Sequence, residues 1–425
     1  MKNKEKILKT LKYMAVWTVY ALVIGIVVGL AGFAFDKALE FANEFRSENR
    51  WLLFLMPVAG VIIVAMYRSL GVRIPRGTNR ILKSAEDGEE VALRVAPMIF
   101  AATTLTHMTG GSAGREGAAL QLGGSIANFI GRLGRRISSS AKAGSALKPD
   151  LRIITMCGMA AGFSALFGAP LASAVFALEV TNNVMRYAAL YPCMLASITA
   201  AVTVKLLGGH AMFYAITQVP ELAPMAVIKS LVLGALVGLL AILFVFAMEK
   251  SGELYAHFFK NQYVRVLAGA GLIIALSLLE GSGDYNGAGG GVINRALEGD
   301  AVWYAFILKI VFTALTLGAG FKGGEIVPIL FTGATFGCAV SGLLGLPAGF
   351  AAGLCMMALF CGATNCPLAS VFLAYELFQG QGLVLCALAI TVSYLISGRF
   401  SLYTAQKLSF SKLSLDDEDG NTQNM

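Results

Sequence analysis

Two glutamates set in glycine-rich runs are the residues of this 425-residue chain best placed to do chemistry. Glu116 lies in Gly110-Gly111-Ser112-Ala113-Gly114-Arg115-Glu116-Gly117, and Glu325 in Gly320-Phe321-Lys322-Gly323-Gly324-Glu325-Ile326-Val327-Pro328. Glycine lets a backbone turn tightly enough for several amide N–H groups to face one point. The mostly apolar stretch 118–130 reads as a helix, and its first turn would present unpaired N–H groups and a partial positive charge. That combination binds anions. A carboxylate at its mouth can occupy the site itself, or yield it once protonated. Pro328 suits the first turn of a second such helix. One glycine turn with a glutamate is a weak signal; two copies in one chain are a stronger one.

The surroundings of these runs are those of a membrane protein. The chain is 57% hydrophobic and 14% charged, with a mean hydropathy of +0.71, and that leaves too little charge to cover a soluble surface. Residues 15–35, 51–67, 188–204, 230–248, 266–279 and 383–396 carry no charge at all. A spanning helix needs about 20 apolar residues, so the chain holds on the order of ten spans. The expected fold is an all-α polytopic membrane protein. The glycine-interrupted stretches read as broken helices, which membranes tolerate where they line a cavity or transport site.

The net charge of +8 is not a nucleic-acid stripe. Lys2, Lys4, Lys6, Lys9 and Lys12 precede the first apolar run, and Arg132, Arg135, Arg136, Lys142 and Lys148 sit in a polar loop. Basic flanks mark the cytoplasmic side, which places the N-terminus there. The first apolar run is too long for a signal-peptide core. Seven scattered cysteines show no zinc or redox spacing, so neither metal nor cofactor is expected.

The chain reads as two related halves. Pro170-Leu171-Ala172-Ser173 recurs as Pro367-Leu368-Ala369-Ser370, each followed at the same spacing by a glutamate, Glu179 or Glu376. Earlier in each half, Gly111, Gly114, Glu116 and Gly124 align with Gly320, Gly323, Glu325 and Gly333. The expected organisation is a cytoplasmic segment at 1–12, membrane repeats at 13–215 and 216–410, and a disordered polar tail at 411–425. Paired glycine-interrupted segments in corresponding positions point to a transporter's binding site. Small residues also let membrane helices pack closely, but a carboxylate inside the cluster marks function.

Gly114-Arg115-Glu116-Gly117, with Gln121 five residues past the glutamate, closely resembles the gating motif of the CLC anion channels and antiporters. Gly324 to Pro328 falls where that family has Gly-x-Phe-x-Pro, and Ser401-Leu402-Tyr403 resembles the segment bearing its pore tyrosine. The resemblance covers nearly the whole membrane region. It implies a CLC-like inverted repeat whose broken helices meet at a central anion site, in a homodimer with one pore per subunit in the cell membrane. It also implies gating and proton coupling by Glu116 and Glu325, with anion binding by Thr78, Asn79, Gly114, Gly117, Ile326, Val327 and Tyr403.

The departures from the family pattern are as informative. Chloride-handling members have Gly-Ser-Gly-Ile-Pro, where this chain has Gly77-Thr78-Asn79-Arg80-Ile81. Ile326 replaces the phenylalanine of Gly-x-Phe-x-Pro, Ala118 a proline, and Val180 the internal proton-relay glutamate of many coupled members. Glu325 is an added carboxylate. Together these resemble the fluoride-exporting branch, and imply a fluoride/proton antiporter rather than a chloride channel or chloride/proton antiporter. Fluoride holds its hydration tightly, so its site must offer strong donors; backbone N–H groups, the Asn79 carboxamide and protonated carboxyls all qualify. Burial disfavours a charged carboxylate, so both glutamates could carry protons without the relay residue.

Other residues have plainer readings. Glu179 and Glu376 read as structural groups at helix ends. Lys205 and Lys309 read as snorkelling, and Lys322 as a snorkelling lysine or an anion attractor. Tyr403 fits an interfacial anchor as well as a pore group, and His107 a hydrogen-bonded helix residue as well as a proton carrier. A membrane-embedded serine protease would need a Ser–His pair; Ser164 is a weak candidate with no histidine at a supporting spacing.

Overall fold

The computed structural model describes residues 2–69, 71, 77–140, 149–181, 187–216, 218–406 and 412. Lys142 and Lys148 of the basic loop, and all of the polar tail but Lys412, lie outside the described residues. Within them the regular structure is entirely helical. The first eight helices are α1 (Lys2–Glu48), α2 (Met56–Ser69), α3 (Gly77–Asp87), α4 (Val95–Met108), α5 (Glu116–Ser140), α6 (Leu151–Phe167), α7 (Pro170–Glu179) and α8 (Leu190–Leu206). The next eight are α9 (Pro224–Phe258), α10 (Gln262–Glu280), α11 (Gly290–Glu298), α12 (Ala305–Ala319), α13 (Ile326–Leu344), α14 (Ala348–Thr364), α15 (Pro367–Phe378) and α16 (Leu383–Ile396).

The two sets pack alike. α1 lies on α6 and α8, and α9 lies on α14 and α16; α5 packs on α6 as α13 packs on α14. The sets meet where α7 crosses α15 and α2 crosses α10. Six helical segments among the described residues are long and apolar enough to cross a membrane, and seven further apolar helices run only 10–17 residues. The expected ten or so spans are therefore split between complete spans and fragments. At about 1.5 Å per residue, a helix such as α6 (17 residues) covers less than a hydrocarbon core of about 30 Å. Some of the fragments lie deep: every residue of α14 from Phe350 to Thr364 is buried. Helices of similar hydropathy lie at different depths, since the apolar window of α13 is 72% buried and that of α10 only 28%.

Close approach at the centre depends on missing side chains. A Cβ on Gly333 would sit 2.6 Å from Cys355 O, and one on Gly123 would collide with Gly158 O. Such contacts let membrane helices gain dispersion energy backbone to backbone.

Glu179 and Glu376 are structural, but not in the way their positions at the ends of their own helices suggest. Each caps the other repeat's helix. Glu179 accepts from Leu368 N–H (3.1 Å) and Ala369 N–H (2.8 Å), at the first turn of α15. Glu376 accepts from Leu171 and Ala172 N–H (2.9 Å each), at the first turn of α7. Those N–H groups have no partner inside their own helices, and an anion at a helix N-terminus is favoured. Glu179→Ala is expected to lower stability by about 1.5–3 kcal/mol, the worth of hydrogen bonds to a charged group. Thermal unfolding in detergent measures it; an unchanged melting temperature would contradict the cap's importance.

Candidate functional site

The two glycine runs meet. Gly114 N–H donates to Gly324 O (2.6 Å) and Gly324 N–H to Gly114 O (2.7 Å), an isolated antiparallel bridge. No side chain fits there: a Cβ on Gly324 would lie 2.6 Å from Gly117 N, and one on Gly114 2.9 Å from Glu116 Oε2. Immediately after the bridge, α5 starts at Glu116 and α13 at Ile326. Two helix N-termini thus open beside one another, the anion-binding arrangement expected from the glycines.

The bridge corrects the alignment of the halves by one residue. Gly114 pairs with Gly324, not Gly323, so the counterpart of Glu116 is Ile326, and that of Glu325 is Arg115. The flanking contacts agree. Ser112 N–H donates to Thr316 Oγ1 (3.1 Å), and Lys322 N–H to Thr106 Oγ1 (3.2 Å), one clasp repeated by the twofold relation. Gly110 (φ +86°) and Gly320 (φ +113°) are the matching left-handed turns.

Glu116 is completely buried. Its Oε2 accepts from Arg115 N–H (3.0 Å), and Val327 N–H at the start of α13 also points to the carboxylate. Its Oε1 has no hydrogen-bond partner among the described residues; Arg115 Nε is 3.7 Å away. Arg115 thus stands in loose ion-pair contact with Glu116 and makes its closer ion pair with Asp36 of α1. The carboxylate therefore lies between the two helix starts.

Glu325 holds the N-cap position of α13 but makes no capping bond to it. Its Oε2 lies 3.5 Å from where a Cβ on Gly117 would stand, and Thr78 Oγ1 lies 3.3 Å from the same point. Thr78, in the first turn of α3, donates to Gly117 O (3.4 Å) and accepts from Gln121 Nε2 (3.4 Å). α3 reaches this place because Gly124 offers no side chain against Ile81. Asn79 Oδ1 accepts from Ala405 N–H (3.0 Å), and its carboxamide N–H groups make no hydrogen bond among the described residues. The bond from Ala405 also joins α3 to the segment carrying Tyr403. Tyr403 is buried, edge-on to Phe176 with ring centroids 6.4 Å apart, and both Glu116 and Glu325 act on it electrostatically. The burial rules out the interfacial-anchor reading. Thr78, Asn79, Gly114, Glu116, Gly117, Glu325, Ile326, Val327 and Tyr403 are thus drawn from four separate parts of the chain to one centre.

One lysine departs from expectation. Lys309 is fully buried and does not snorkel: its ammonium donates to Tyr285 O (3.3 Å) and Gly287 O (2.8 Å), over the Phe331 ring. Lys322 places its ammonium 5.2 Å from the Tyr67 ring centroid. Gln121 was legible only as a motif residue; its part in fixing Thr78 follows from the one-turn spacing between Gly117 and Gln121, whose amide also donates to Gly117 O (3.1 Å). Ser164 donates to Ser197 O (2.8 Å), a bond between α6 and α8. Val180 ends α7 as a buried apolar residue.

A multi-pass helical protein whose broken helices bring their N-termini to a buried carboxylate has the build of a membrane ion-transport protein. The chain belongs to the voltage gated chloride channel (CLC) family, whose model matches residues 59–398. A chloride/fluoride channel protein of Pseudomonas syringae pv. tomato is 35% identical over 414 residues, covering 95% of this chain and 89% of the relative. An H+/Cl− exchange transporter of Yersinia pestis is 26% identical over 427 residues, 91% of this chain and 86% of the relative. Among solved structures, a CLC-type fluoride/proton antiporter superposes with a TM-score of 0.87 at 33% identity, covering 93% of this chain and 98% of its own. A slow cyanobacterial Cl−/H+ antiporter matches with a TM-score of 0.74 at 20% identity, covering 90% and 94%, and shows the fold alone. The expectation of an all-α, CLC-like inverted repeat holds.

Proposed function

We propose that this protein is a fluoride/proton antiporter that exports fluoride across the cell membrane, as a homodimer with its N-terminus in the cytoplasm. The observation that carries the reading is the pair of carboxyl groups at one centre: Glu116 between two helix starts, and Glu325 beside Gly117 and Thr78. A protonated carboxyl donates a hydrogen bond to fluoride, and a deprotonated one competes with it for the same N–H groups. Thr78, Asn79, Tyr403 and the backbone at Gly117, Ile326 and Val327 supply the remaining contacts, while Gly114, whose N–H is committed to Gly324 O, frames the site rather than donating to the anion. The likeness to the chloride/fluoride channel protein and the fluoride/proton antiporter supports the same anion. The repeats are taken to span 13–215 and 216–410, between a cytoplasmic segment at 1–12 and a tail at 411–425.

Purified protein in liposomes, loaded with fluoride or chloride, tests selectivity. Fluoride release is expected to be much the faster. Equal rates would replace this reading with a general anion pathway, and faster chloride release with a chloride channel or chloride/proton antiporter.

A further inference from the structure

The twofold relation between the repeats is close around the bridge, and one of the places where it fails is a buried histidine in the helix before it. Thr106 matches Thr316, and both hold the opposite run by the same bond. The next position is His107 in the first repeat and Leu317 in the second. His107 closes α4 and is 1% exposed. Its Nε2 lies 3.3 Å from Gly114 O. A carbonyl only accepts, so the Nε2 atom carries the proton and donates. Nδ1 has no hydrogen-bond partner among the described residues, so the ring's hydrogen bonding is committed to this carbonyl.

That carbonyl belongs to the peptide group whose other end is Arg115 N–H, the donor to Glu116 Oε2. Gly114 O therefore receives two donors, Gly324 N–H and His107 Nε2–H. Two donors fix the tilt of the peptide plane, and polarisation of its C=O strengthens the N–H on the far side. In the second repeat, Leu317 offers no donor for the equivalent Gly324 O, and the position of Glu116 is taken by Ile326, which needs no such hold. The extra bond exists only on the side whose helix begins with a carboxylate.

We propose that His107 is a positioning residue for the gate: it aims the Gly114–Arg115 peptide so that its N–H holds the Glu116 carboxylate in the anion's place. The proposal rests on the reading of Glu116 as the proton-coupled gate. Its natural control is His107→Leu, which gives the first repeat the second repeat's residue; His107→Gln keeps a side-chain N–H donor.

Fluoride flux and coupled proton movement are measured together in liposomes, per folded transporter, against fluoride concentration. In His107→Leu the carboxylate competes less well, so the apparent KM for fluoride is expected to fall about threefold to tenfold, the effect of one hydrogen bond. Protons moved per fluoride should fall with it. His107→Gln should restore both toward the unmodified values. With Glu116→Gln as background, His107→Leu should change neither KM nor coupling further. An unchanged KM and coupling in His107→Leu overturns the proposal even if the protein is less stable, as does an equal change in the Glu116→Gln background. If Glu116→Gln alone still moves protons, the reading of Glu116 falls and takes this proposal with it.

Discussion

Fluoride-driven proton movement is expected to vanish in Glu116→Gln. The carboxylate sits fully buried where Arg115 N–H and Val327 N–H converge. As an anion it holds those donors against fluoride; protonated, it loses that attraction and can leave with its proton. Two opposing effects act on the group, since burial penalises its charge while the helix starts favour it. Small changes around it can then move the proton either way, which exchange requires. A glutamine has nearly the same shape but mimics the protonated state permanently. In liposomes with an imposed fluoride gradient, a pH-sensitive dye should show protons driven uphill by the unmodified protein and not by the variant, whether or not an anion leak remains. Continued pumping by Glu116→Gln would put the coupling elsewhere, with Glu325 or His107 next in line.

The residues that meet at the centre were legible because they are types that membranes otherwise exclude: carboxylates inside glycine-rich, interrupted helices. The fold class was legible from the apolar runs and the motifs. The register between the halves was not. Matching glutamate to glutamate and glycine to glycine set Gly114 against Gly323, whereas the bridge sets it against Gly324. A weaker signal for the true register was present in Thr103, Leu105 and Thr106 against Thr313, Leu315 and Thr316, and in Gly123 against Gly333. Threonines that clasp the opposite run carry more structural information than a glutamate, which one repeat uses at its helix start and the other just before it. Long-range pairings were hidden for a different reason. The reciprocal caps by Glu179 and Glu376 span 189–190 and 204–205 residues, and no local spacing reveals a partner at that distance. Lys309 misled through the general habit of lysines near span ends; here the carbonyls of the 281–289 turn come down to meet it.

The corrected register alters the argument for Glu325 and strengthens the case for testing it. It is not a second copy of Glu116, because Ile326 occupies that place. It is an added carboxyl one residue before the helix, and it leaves its capping role unfilled. Its Oε2 stands instead beside Gly117 and Thr78, within electrostatic reach of Glu116 and Tyr403. A carboxyl there can present an O–H to fluoride and take part in passing the proton on. Glu325→Gln keeps two N–H donors and the volume but cannot give up or accept that proton in turn. Fluoride turnover in liposomes is therefore expected to fall roughly a hundredfold or more, the lower end of the about 10²–10⁴-fold that a positioned proton-transfer group contributes. Fluoride binding, measured by calorimetry on the purified protein, should fall far less, because the amide still donates. Turnover at the unmodified rate would reduce Glu325 to a packing residue at the head of α13. Binding lost in proportion to turnover would instead make it a simple anion ligand, with proton transfer left to Glu116 alone.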